Sequence, residues 1–274
     1  MGKRQKIIRI AGDMLKGIGI LAGGSILGTL LLTAVYLLPV SPMKENVARS
    51  SAIFDYEGVY PQLVQGYKAS QLDNCTDAIM LGIAAYSEET ADGIRNAAAL
   101  AMDARRVEFR GDDPVRSLND YANDVEGKEE RKQVVGYTRY WHGYLIPLKL
   151  LLLFFDYGDI RFLNLFAQFF LTGWLMILML EKGRKRLLIP FAILICVLNP
   201  VAEAMSLQFS SVYYITLVSM LLILRGKEEK MIRCAACFFF CIGVLTSFFD
   251  LLTYPLLTLG VPLTLMFLLF EGRM

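Results

Sequence analysis

Long apolar runs separated by short charged breaks set the pattern of this chain. The stretch from Gly17 to Val40 carries no charge at all. A helix rising 1.5 Å per residue needs about 20 apolar residues to cross a hydrocarbon core of roughly 30 Å, so this run predicts a spanning helix over 17–40. Further runs follow at Ile160–Leu180, Leu187–Pro200, Leu207–Leu224, Cys234–Phe249 and Leu252–Phe270. A shorter one, Tyr144–Phe155, contains Pro147 and Lys149 and cannot cross upright. It predicts a re-entrant or interfacial helix within 140–159. Pro190, Pro200, Pro255 and Pro262 are expected to kink or break their helices, with neighbours satisfying the freed carbonyls.

Charge orients these elements. Lys3, Arg4, Lys6, Arg9 and Lys16 precede the first run against one acid, Asp13. Basic clusters recur at Lys182–Arg186 and from Arg225 through Arg233. Basic loops favour the cytoplasm, so residues 1–16 and both clusters are expected inside, and 41–139 outside. The first run exceeds a signal-peptide core, and Pro39-Val40-Ser41-Pro42 is a poor cleavage site, so it reads as a retained anchor. The expected fold is an all-α polytopic membrane protein in the cell membrane, with about six transmembrane helices and a cytoplasmic N-terminus. A helical extracytoplasmic loop over 41–139 follows the first span, and about five spans fill 160–270.

Composition agrees with that reading. The chain is 55% hydrophobic and 20% charged, with a mean hydropathy of +0.46 and a net charge of +2. This excludes a soluble enzyme and a disordered tail, and no broad basic surface exists for nucleic acid. Residues 41–139 carry 17 acids and 12 basic residues by direct count. Helices are expected over Ala78–Glu89 and Gly93–Arg106, with turns at Pro61, Gly111–Pro114 and Gly127. The five cysteines form no disulfide framework. Cys234, Cys237 and Cys241 share one helix face without a histidine or acid beside them, and read as small hydrophobes.

Several residues carry candidate chemistry. Asp73 and Asp77 stand one helical turn apart in Leu72-Asp73-Asn74-Cys75-Thr76-Asp77, downstream of Asp55 in Phe54-Asp55-Tyr56-Glu57. Two carboxylates so close can raise a pKa, hold a divalent cation or orient a hydroxyl nucleophile; equally, they can be an N-cap and a first-turn acid. Arg139 and His142 lie in Arg139-Tyr140-Trp141-His142-Gly143-Tyr144, where aromatic residues suit a membrane interface, arginine suits phosphate and histidine can exchange protons. Glu203 and Asp250 sit in apolar surroundings, where an acid normally faces a cavity. All seven are expected to converge on one external cavity.

The layout of a first span, a long external loop with early acids, a juxtamembrane helix and many further spans resembles GT-C type membrane glycosyltransferases. Phrases such as Arg139–Tyr144, Ser206–Ser211 and Phe249–Pro255 resemble stretches of large bacterial membrane proteins with this layout. The resemblance implies a polyprenyl-phosphate-linked sugar as donor, membrane lipid as surroundings and an extracytoplasmic acceptor. It implies that Asp73 or Asp77 is the base and that Arg139 neutralises the departing lipid phosphate. His142, Asp55, Glu203 and Asp250 are then expected to line the substrate site. The chain stops at Phe270-Glu271-Gly272-Arg273-Met274, directly after a span, which reads as a truncated form of a longer frame. The alternative expectation is a non-enzymatic polytopic protein, transporter-like or an assembly subunit, whose acids scatter over the outer surface or pair with basic residues.

Overall fold

The structure is a computed structural model describing residues 3–88, 93–251 and 253–270, with side chains from Ala11 onward. Leu252, Glu89 at the end of one expected helix, the 271–274 terminus and the side chains of Lys3, Arg4, Lys6 and Arg9 lie outside the described residues.

The chain is mostly helical. Helix α1 (Lys3–Tyr36) is followed by α2 (Ser41–Glu57), α3 (Asn74–Ala85) and α4 (Gly93–Met102). Strand β1 (Arg105–Phe109), α5 (Pro114–Ala122) and strand β2 (Lys132–Gly136) complete the polar stretch. Then come α6 (Leu145–Leu152), α7 (Tyr157–Glu181), α8 (Leu188–Val197), α9 (Pro200–Met205), α10 (Leu207–Arg225), α11 (Glu228–Phe249) and α12 (Pro255–Leu269). Among the described residues, four helices are long and apolar enough to cross a membrane: Ala11–Tyr36 within α1, and α7, α10 and α11.

The differences from expectation have local causes. The first helix ends at Tyr36, and Leu37–Val40 leave it ahead of Pro42 in the first turn of α2. Of the six expected spanning runs, Leu187–Pro200 yields only the 10 residues of α8, and Leu252–Phe270 yields the 15 of α12. The α8 helix stops at Val197, and just beyond it Asn199, at a left-handed φ of 52°, and Pro200 break the helical run, as expected of that proline. An all-α polar segment is corrected by one antiparallel hairpin, in which Val107 pairs with Val134. Residues 103–106 do not extend α4 because the sequence of β1 alternates, burying Val107 and Phe109 while Arg106 and Glu108 stay half-exposed. Turns stand at Gly111 and Gly127, both at positive φ. Helix α6 has a rise of only about 12 Å, and α7 takes over at Tyr157 rather than at residue 160.

Two apolar cores organise these elements. One joins the end of α1, helices α2 to α6 and the start of α7 through Leu32, Phe54, Leu81, Leu145 and Tyr157. The other lies between α7, α8, α10 and α12 around Leu175, Tyr213, Leu217 and Met266. The polar stretch therefore packs on one set of helix ends. Asn46 of α2 donates to the Leu152 carbonyl at the end of α6 (2.8 Å). Ser50 accepts from the first amide of α7 (2.9 Å), and Gly143 donates to the Phe248 carbonyl at the end of α11 (2.8 Å).

Candidate functional site

The centre of the site is the N-terminus of α10. The first amides of a helix lack intrahelical acceptors, and Ser206, at the cap position, makes no side-chain cap bond here. Asp77 supplies the missing acceptors from another helix. Its Oδ2 accepts from the Leu207 amide (2.9 Å) and the Tyr157 hydroxyl (2.6 Å), and its Oδ1 from the Gln208 amide (3.2 Å). Asp77 is fully buried, and that burial pushes its carboxyl up to about 6 against the opposing pull of these donors and Arg161. One carboxylate thus ties α3 to α7 and α10.

Asp73 caps its own helix. Its Oδ1 accepts from the Thr76 amide (2.9 Å), and its Oδ2 from the Thr76 hydroxyl (3.0 Å) and the Gln208 side-chain amide (2.6 Å). Its amide donates to Ser206 Oγ (3.3 Å). Unlike Asp77 it is only half-buried. The short spacing from Asp73 to Thr76 is the local reason α3 starts where it does.

Below this layer lies a buried polar network that the apolar pattern conceals. Arg161 Nη1 bonds both oxygens of Glu57 (2.8 and 2.9 Å), and its Nη2 donates to Asn74 Oδ1 (2.8 Å). Asn74 in turn donates to Glu57 (3.0 Å) and to the Gly58 carbonyl (2.8 Å). The guanidinium lies 4.1 Å from the Tyr157 ring centroid, and that ring stacks on Phe54 at 4.7 Å. Arg161 had a sequence signal, a full charge inside the apolar run 160–180. Gln208 and Asn74 had none, because Asp73 and Arg161, the charged groups they meet, lie far away along the chain.

Glu203 and Asp250 meet at two chain breaks, α8 to α9 and α11 to α12. Glu203 is buried at 5% exposure, and its Oε2 has no hydrogen-bond partner among the described residues. Burial and the nearby charge of Asp250 push its carboxyl up to about 8. Asp250, equally buried, accepts from the Thr253 amide (2.8 Å) and hydroxyl (2.5 Å).

The other three expected members make their contacts with other residues. Asp55 is exposed and accepts from Asn119 (2.7 Å). Arg139 is exposed, 5.5 Å from the Tyr140 ring centroid. His142 is buried with both ring nitrogens engaged, Nδ1 at 3.0 Å from the Tyr144 hydroxyl and Nε2 at 2.6 Å from the Tyr137 carbonyl. Burial lowers its pKa, which suits a neutral, structural imidazole. Asp73, Asp77, Glu203 and Asp250 remain grouped around the α9–α10 junction.

No protein family, characterised protein or solved structure matches this chain.

The arrangement has definite chemical consequences. Amide and hydroxyl hydrogens occupy both oxygens of Asp77, so its carboxylate is turned to donors within the fold. Among the described residues, no group of three or more His, Cys, Asp or Glu side chains is placed to hold a metal ion. Asp73 keeps solvent access, and Glu203 is poised to exchange a proton near neutral pH.

Proposed function

We propose that this chain is an integral-membrane, glycosyltransferase-like protein that moves a sugar from a polyprenyl-phosphate donor to an acceptor outside the cytoplasm. The observation that carries this reading is the gathering of four acids from three distant stretches at the α9–α10 junction, where the polar segment meets the helix ends. Half-buried Asp73 is the acceptor base, and Asp77 is a positioning residue that holds α3 against α10. Arg139 stands where the chain returns to the membrane, outside this group of acids, where it suits a lipid headgroup phosphate. In this reading α8 with the turns that flank it, and α12, complete six crossings, α9 lies with its Glu203 at the outer face, and the N-terminus is cytoplasmic.

A second reading, a non-catalytic membrane subunit, draws on one specific observation: every oxygen of Asp73 and Asp77 already accepts a hydrogen bond within the fold.

Incubating membranes with labelled polyprenyl-phosphate sugars separates the two. General-base loss typically costs about 10²–10⁴ in rate, so Asp73→Asn should abolish most incorporation while leaving the melting temperature within a few degrees. Asp77→Asn places an NH₂ group against amide donors and should lower both activity and stability, the latter by about 1–3 kcal/mol. Equal incorporation by wild type and Asp73→Asn removes the catalytic assignment; a wild type inert with every donor favours the subunit.

A further inference from the structure

Between α2 and α3 the chain forms a closed hairpin, Gly58–Leu72. This stretch holds one charge, Lys68, and no acid, inside a segment that otherwise carries 17 acids. The hairpin is rigidly built. Gln62 and Gln71 form an antiparallel bridge, the Leu63 amide donates to the Ser70 carbonyl (3.0 Å), and the Leu72 amide donates to the Pro61 carbonyl (2.8 Å). Ser70 Oγ, buried within the turn, donates to the Tyr67 carbonyl (2.7 Å) and accepts from the Val64 amide (3.0 Å). Yet Tyr60, Leu63, Val64 and Tyr67 project outward with 40–58% of their surface open. Small soluble surfaces scatter such residues singly; here four share one fixed turn.

Its position says what they meet. Asn199 Nδ2 donates to the Ala69 carbonyl (2.8 Å), pinning the hairpin to the corner where α8 ends. Helix α8 is an uncharged apolar helix whose outward stripe, Ile189, Ile193 and Val197, is 58–73% open. Its 10 residues rise about 15 Å, half the hydrocarbon core, so its end cannot stand far above the lipid. Through the Asn199–Ala69 bond, the hairpin with its open side chains is tied to the stretch of chain where that stripe stops at Val197. Tyrosine with an apolar body and a polar tip, and a lysine whose stem lies along lipid while its head reaches phosphate, suit the headgroup layer.

We propose that the Gly58–Leu72 hairpin is seated in the bilayer interface, with Leu63, Val64 and Tyr67 in contact with lipid, where it covers the end of α8. The partner is a phospholipid surface rather than a soluble protein.

The test uses full-length protein in nanodiscs of phosphatidylcholine and phosphatidylglycerol, with a nitroxide on Val64→Cys and the signal from the native cysteines subtracted. Ile193→Cys serves as the lipid reference and Glu126→Cys as the water reference. Collisions with oxygen should exceed collisions with a polar nickel chelate at Val64→Cys, as at Ile193→Cys, while Glu126→Cys gives the opposite order. If Val64→Cys fails to elute as folded protein, Tyr67→Cys provides the same reading. Nickel-dominated collisions at either hairpin position, matching Glu126→Cys, would mean a water-exposed surface open to a soluble partner, and would overturn the proposal.

Discussion

Glu203 shows how placement alone converts an ordinary side chain into a pH-dependent one. Its folded carboxyl titrates near 8 instead of 4.5, so between those values the folded protein binds a proton that the unfolded chain does not. Stability is therefore highest below pH 4.5 as far as this group is concerned, and falls as pH rises through 8. Glu203→Gln should flatten that slope and stabilise the protein in detergent more at pH 8.5 than at pH 5.5, by on the order of a few kcal/mol. Identical shifts at the two pH values would refute it. At this scale the sequence was partly legible. A helix start at Asp73 follows from the residues beside it, and an acid in an apolar run marks Glu203. The donors that fill Asp77 belong to Tyr157, Leu207 and Gln208, and no local rule links them to that acid.

Among the elements, α1 and α11 approach most tightly at one ring. The Phe248 side chain lies where Cβ atoms on two glycines would stand, one added to Gly28 at 2.5 Å and one added to Gly143 at 2.5 Å. Trp141 lies 6.0 Å from the same ring. Gly28→Ala thus forces the ring to move and should destabilise by about 1–3 kcal/mol. Gly28→Ala combined with Phe248→Ala should cost clearly less than the sum of the single changes, since the clash disappears with the ring. Strict additivity in a denaturation cycle would mean that the helices do not depend on this contact. The apolar runs located these helices well because length and hydropathy act locally. The left-handed conformation of Asn199 and the β1–β2 pairing are not legible in the sequence, for the opposite reason. A left-handed residue before Pro200 needs the Ala69 carbonyl to hold it, and the hairpin needs Val134 opposite Val107.

For the whole molecule, the ends of α1, α6 and α11 and the starts of α7 and α10 all lie against the polar segment, so the connection from α7 to α8 is at the opposite end of α7. With the chain in the orientation proposed above, an impermeant maleimide should label Glu126→Cys on intact cells and reach Lys185→Cys only after lysis. The wild type serves as the blank for its native cysteines. Labelling in the reverse order would invert the protein in the membrane and detach the acids from any extracytoplasmic substrate.

The inter-helix cap also dictates an order of events during synthesis. Until the ribosome has passed α7 and the start of α10, Asp77 has neither the Tyr157 hydroxyl nor the two backbone amides that accommodate it. A naked carboxylate in a closing apolar niche opposes closure, so the extramembrane portion stays ajar on the nascent chain. That niche is complete only once Leu207 and Gln208 have left the exit tunnel. Maturation of the earliest-made polar region is thereby coupled to the arrival of a helix translated long after it.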